Sequence, residues 1–175
     1  MTWNAFHSRG EILRTVTAAA DARLDGRLPM DVDGVREVFD DELDLLGALH
    51  LKWYTRLAGR IDRALMSQPL DLDAAVIGAW HATAEELPGV RMVLDHHHEH
   101  PLDARMADTL ATAAAKEQTM LAVMAGRAGT DNVGAASVGA TLESRARASR
   151  PPVRRTPQAH RAAGLIDRLK AVVAA

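Results

Sequence analysis

Residues 33–66 contain no proline, and large apolar side chains recur through them at Val35, Phe39, Leu43, Leu46, Leu49, Trp53, Leu57, Ile61 and Leu65. Steps of three and four residues are the period of one α-helix face. Sustained over this length, they predict one helix of about eight to nine turns, roughly 45–50 Å long. An apolar stripe of that length needs neighbours along all of it, so the chain has to pack helices around it.

The flanking segments read the same way. Residues 8–25 carry Ile12, Leu13, Val16, Ala19, Ala20 and Leu24 on one face, with Trp3 and Phe6 ahead of them. Ser8 and Glu11 have capping-box spacing, and Gly26 and Pro29 close the segment. Asp31 or Asp33 is placed to cap the long helix. Gly47 and Gly59 inside it each cost about 1 kcal/mol against alanine, which points to a close neighbour, a bend or a dimer contact. Gln68-Pro69 ends it. A third helix opens at Asp71 or Asp73, carries Val76, Ile77, Trp80, Ala84 and Leu87, and stops at Pro88-Gly89. A short helix follows from Val90 to about His98, and a last long one runs from Pro101 to Ala125.

The expected fold is therefore all-α: an antiparallel bundle of four main helices over residues 1–129, one of them split at Pro88-Gly89. Residues 130–156 are poor in large apolar side chains and rich in Gly, Ala, Ser, Arg and Pro, which reads as a linker with one weak turn around Leu142. Thr156-Pro157 is a good helix start, and residues 157–175 read as a C-terminal amphipathic helix.

Composition narrows the function. There is no cysteine, hence no disulfide and no thiolate metal site. No apolar run reaches membrane-spanning length and the first residues lack a leader-type apolar core, so the expectation is a cytoplasmic protein without membrane contact. G-x-S-x-G, G-x-x-x-x-G-K-[ST] and G-x-G-x-x-G are all missing, which removes the parts that hydrolases, kinases and dehydrogenases need. The net charge of −2 is unevenly spread: residues 143–175 hold eight basic and two acidic side chains, +6, leaving −8 for residues 1–142. A basic tail on an acidic bundle suggests that each has its own contact. The function this supports is non-enzymatic protein–protein interaction, as an adaptor or assembly component, with another protein or a second copy as partner and no cofactor beyond a divalent metal.

The candidate residues fall into four groups. His96, His98 and His100, with His97, crowd the end of the short helix; His96 and His100 are four apart and could share a metal ion. His81 and Glu85 form H-x-x-x-E, while His50 and Glu117 fall on or beside apolar stripes. Inward carboxylates and imidazoles on separate helices are what a di-metal bundle uses, but the chain contains no E-x-x-H. The plainer alternative is half-buried groups satisfied by hydrogen bonds or ion pairs. Asp40, Asp41 and Asp44 form a dense acidic turn, either a solvated helix start or a surface for something basic, the chain's own tail included. Leu165, Ile166, Leu169 and Val173 form a stripe that can seat in a groove, on a tether carrying Arg154 and Arg155. Those arginines could instead contact nucleic acid, with steep salt dependence, but no aromatics are interleaved to stack on bases.

Overall fold

A computed structural model describes residues 3–129 and 132–149, with side chains from Arg9 onward. Over this span the chain is all-α. Its helices are α1 (Trp3–Arg23), α2 (Val35–Val38), α3 (Glu42–Met66), α4 (Leu72–Glu86), α5 (Pro88–Glu99), α6 (Ala104–Met124) and α7 (Ala135–Ala148). Among the described residues no helix is long and apolar enough to cross a membrane.

Helix α3 is the axis of the core. Leu45, Leu46, Leu49, Trp53, Leu57 and Ile61 along it are fully buried, at the three- and four-residue steps of one face. Trp53 meets Trp80 of α4 edge to face at 5.8 Å, a favoured aromatic geometry. The most extensive helix pairings are α6 with α7, α3 with α4, and α1 with α5.

Three aspartates start three of the helices. Asp41, Asp71 and Asp103 have extended backbones, and their carboxylates accept the N–H of Asp44 (2.7 Å), Ala74 (2.9 Å) and Met106 (2.7 Å). Each satisfies an otherwise orphaned helix donor, worth about 1 kcal/mol. Helix α5 lacks such a cap on its own strand of sequence. Pro88 sits in its first turn, and Asp21 of α1 accepts the Gly89 N–H at 2.8 Å.

Several expectations are corrected. The predicted single helix over 33–66 is interrupted. Phe39 is extended (φ −115°, ψ 128°) and Asp41 caps a new helix. The apolar period continues through the break because Val35 and Phe39 remain buried, so periodicity alone cannot reveal it. Helix α1 runs through Ser8 from Trp3, so the Ser8/Glu11 spacing does not mark its start. Pro101 is not a first-turn residue; α6 begins three residues later behind the Asp103 cap. The break falls one residue earlier than expected: only Leu87 lies between α4 and α5, and Pro88-Gly89 forms the first turn of α5.

The largest correction concerns residues 130–156. Within the stretch read as a linker, residues 135–148 form α7, with Ala135, Gly139, Leu142 and Ala146 buried. The reason lies in the size of its side chains. A Cβ at Gly139 would stand 1.7 Å from the Gln118 carbonyl oxygen, so α7 crosses α6 backbone against side-chain-free backbone. The small residues that made the stretch look unstructured are what allow this contact. The terminal stripe of Leu165, Ile166, Leu169 and Val173, with Arg154 and Arg155, lies outside the described residues.

Candidate functional site

The inward histidines and acids separate into three places. His50 of α3, His98 of α5 and Glu117 of α6 line one polar chamber of about 290 Å³. His81 lies elsewhere: its Nε2 meets the Ala146 carbonyl at 2.7 Å, tying α4 to the end of α7, while neighbouring Glu85 is exposed. His96 and His100 stack at 5.0 Å on the exposed end of α5. Among the described residues no three His, Asp or Glu side chains converge to hold a metal ion.

The chamber is a chain of alternating charges. Glu117 is 3% exposed; its Oε1 accepts the indole N–H of Trp53 at 2.9 Å, and Arg91 Nη1 stands 3.7 Å away. The Arg91 guanidinium covers the Trp53 ring at 4.8 Å and pairs with Asp95 at 2.7 Å. Asp95 in turn holds Arg147 of α7 at 2.8 and 3.0 Å. Arg147 also grips Glu143 at 2.6 Å, and Gln118 of α6 donates to Glu143 at 3.1 Å. Four helices are thereby joined through buried or half-buried charges, whose desolvation cost requires this degree of pairing.

The titration of these groups follows from their surroundings. Burial pushes the Glu117 carboxyl up, against the pull of Arg91 and the Trp53 N–H. Burial and then the Arg91 charge hold His50 below the usual imidazole range. Burial also acts to raise Asp95 and Glu143, but their Arg147 and Arg91 partners outweigh it and leave both low. The chamber is thus lined by a carboxyl that burial raises and an imidazole that burial lowers. The rest of its charge is compensated internally, and its first effect is to fix how α3, α5, α6 and α7 pack.

Two of the three aspartates of the acidic turn are engaged within the fold. Asp41 caps α3 and also meets Arg105 at 3.2 Å. Asp44 binds the Arg9 guanidinium through both oxygens, at 2.7 and 3.1 Å, and this holds its carboxyl below the usual range. Asp40 is exposed and its carboxylate makes no ion pair among the described residues.

Beside that turn lies the larger feature, an open groove of about 1290 Å³ running along the outward face of α3. Gly47, Leu51, Thr55, Gly59 and Arg63, each four residues from the last, form its central stripe. Leu51 is 64% exposed, and Leu13, Leu43 and Ala48 supply further apolar wall. A Cβ at Gly47 or Gly59 would meet nothing within 4 Å. These glycines therefore serve no close contact inside the described fold, and α3 continues through both. The margins are charged. Arg9 pairs with Asp44 at one end, and Glu86 binds Arg56 and Arg60 at the other, which draws its carboxyl down to about 2. Lys52 and Arg63 make no ion pair among the described residues, and burial lowers the Lys52 amine.

Sequence reasoning located His50, His98 and Glu117 but missed Arg91, Asp95, Glu143 and Arg147. Arg91 and Asp95, like Glu143 and Arg147, are i,i+4 pairs, a legible helix signal. The second pair is hidden because the small-residue composition of residues 130–156 carries no helix signal of its own. Comparison with protein-family models, with curated proteins and with solved structures finds no match to this chain.

Proposed function

We propose that this protein acts by binding, as a non-enzymatic interaction module that receives an amphipathic helix in the α3 groove. The observation that carries this reading is the outward face of α3 itself. The longest helix of the bundle presents a stripe of small residues around one prominent leucine, flanked by charged margins. That is the form of a helix-in-groove site, where apolar anchors at helical spacing enter a groove and charges set register. The polar chamber supports catalysis less well, because its charges already compensate one another.

The reading is tested by placing a photo-crosslinking amino acid at position 51 of the full chain in cells and sequencing the crosslinked peptide. The expected product is one defined amphipathic segment, and the adduct is lost when Thr55→Glu is added but kept with Leu102→Glu. Leu102 is 65% exposed and lies outside the groove. Adducts scattered over unrelated peptides, or equal behaviour of the two variants, would refute the reading.

A further inference from the structure

We infer that the groove's resident occupant is the chain's own terminal segment, residues 157–175, lying antiparallel to α3. This rests on the helix-binding reading of the groove and names its partner.

The first argument is where the described chain ends. Ser149 Oγ lies 3.4 Å from His81 Nε2 on α4. Glu86, on the groove margin, is five residues further along the same helix, about 7.5 Å. The tether of residues 150–156 spans at most about 24 Å when extended. The segment can therefore enter the groove at the Glu86 end with chain to spare.

The second argument is length and charge together. From Arg56, opposite Glu86, to Glu42 at the start of α3 is 14 residues, about 21 Å. A helical run from Pro157 to Lys170 is 13 residues, about 20 Å. Entering at Glu86 and running back along α3, the segment brings Arg168 and Lys170 to the acidic turn, where Asp40 has no ion-pair partner among the described residues. The opposite direction would carry the same cations toward Arg63.

The third argument is apolar match. Leu165, Ile166, Leu169, Val172 and Val173 recur at the spacing of one helix face. The groove offers Leu13, Leu43, Ala48 and Leu51 around open space above Gly47 and Gly59. Tethering makes the contact intramolecular, with an effective concentration in the millimolar range. A partner helix then has to displace the tail, which sets a threshold on docking.

The absence of cysteine makes this testable in the full chain. Thr55→Cys places a thiol in the groove and Ser144→Cys places one on the exposed side of α7. Maleimide labelling rates are measured for each, normalised to the same thiol in urea, with circular dichroism verifying the fold. The Thr55 thiol is expected to label about tenfold slower than the Ser144 thiol, independent of protein concentration. Adding Leu169→Glu should bring it to the Ser144 rate. Equal rates in the parent chain overturn the inference but leave the groove free for another helix, so the position-51 crosslink still decides that reading. Protection that survives Leu169→Glu, or that fades on dilution, also overturns it, by assigning the groove to a different occupant or to a second copy.

Discussion

Replacing Gly139 by alanine adds one methyl group at the point where α7 crosses α6. That methyl would stand 1.7 Å from the Gln118 carbonyl oxygen, 2.3 Å from its carbon and 2.8 Å from its Cα. Ordinary contact begins near 3.4 Å, so the two backbones must separate by well over an ångström. The obstacle is backbone, and no rotamer change relieves it. Leu142 and Ala146, now buried, would lose contact as α7 lifts. A clash of this depth with rigid backbone belongs at or just above the top of the overpacking range, about 3–4 kcal/mol. Against it stands the helix-propensity gain of alanine over glycine, about 1 kcal/mol. The net is a loss of about 2–3 kcal/mol, or about 4–12 °C in Tm for a chain of this size.

The same substitution at Gly47 is the control. Nothing lies within 4 Å of a Cβ there, so only the propensity term remains and Gly47→Ala should gain about 0.5–1 kcal/mol. Thermal and urea unfolding followed by circular dichroism give both numbers. A Gly139→Ala protein as stable as its parent, or a Gly47→Ala protein that falls equally, would refute the packing argument.

Three further outcomes follow from the charges. Glu117 is held above its ordinary range, so its contribution is fully present at low pH and is lost as pH rises through its folded-state pKa. Glu117→Gln keeps an acceptor for Trp53 and should gain stability relative to the parent as pH rises above the ordinary carboxylate range; urea midpoints that move in parallel would contradict this. Asp73 is drawn down to about 2 by Arg127 and Arg145, so its stabilisation is present above pH 4 and disappears toward pH 2. Asp73→Asn should therefore cost about 1 kcal/mol at pH 7, discounted for two half-exposed arginines, and the gap should close in acid. Metal analysis of untagged protein should find no stoichiometric iron, zinc or manganese; one bound ion per chain would return the chamber and the His96–His100 cluster to consideration.

Much of the fold was legible because it rests on local periodicity. The stripe from Leu46 to Ile61, the Asp71 start and the break before Pro88-Gly89 are set by side-chain spacing, capping chemistry and proline sterics, all local in the chain. The break at Phe39 was not legible, since Asp41 can serve either as a helix residue or as a cap and a buried Phe39 suits both. Helix α7 was illegible for a different reason. Its Ala and Gly face carries no large apolar signal, and its value as a packing surface exists only opposite Gln118.

The same division holds for the sites. That Glu117 and His50 fall near apolar stripes follows from sequence. That they line one chamber, with Arg91 laid over Trp53 between them, depends on α3, α5 and α6 meeting at that height. An arginine on an amphipathic helix reads as solvated until a neighbouring helix supplies the acid that lets it be buried. The stripe through Gly47, Leu51, Thr55 and Gly59 was likewise written in the chain, but its exposure was decided by which face of α3 the other helices leave uncovered. Sequence alone determined which residues could form helices, through interactions within a few residues of chain. Tertiary packing alone decided which charges were buried and which leucine was left outside, because burial is a property of neighbours distant in sequence.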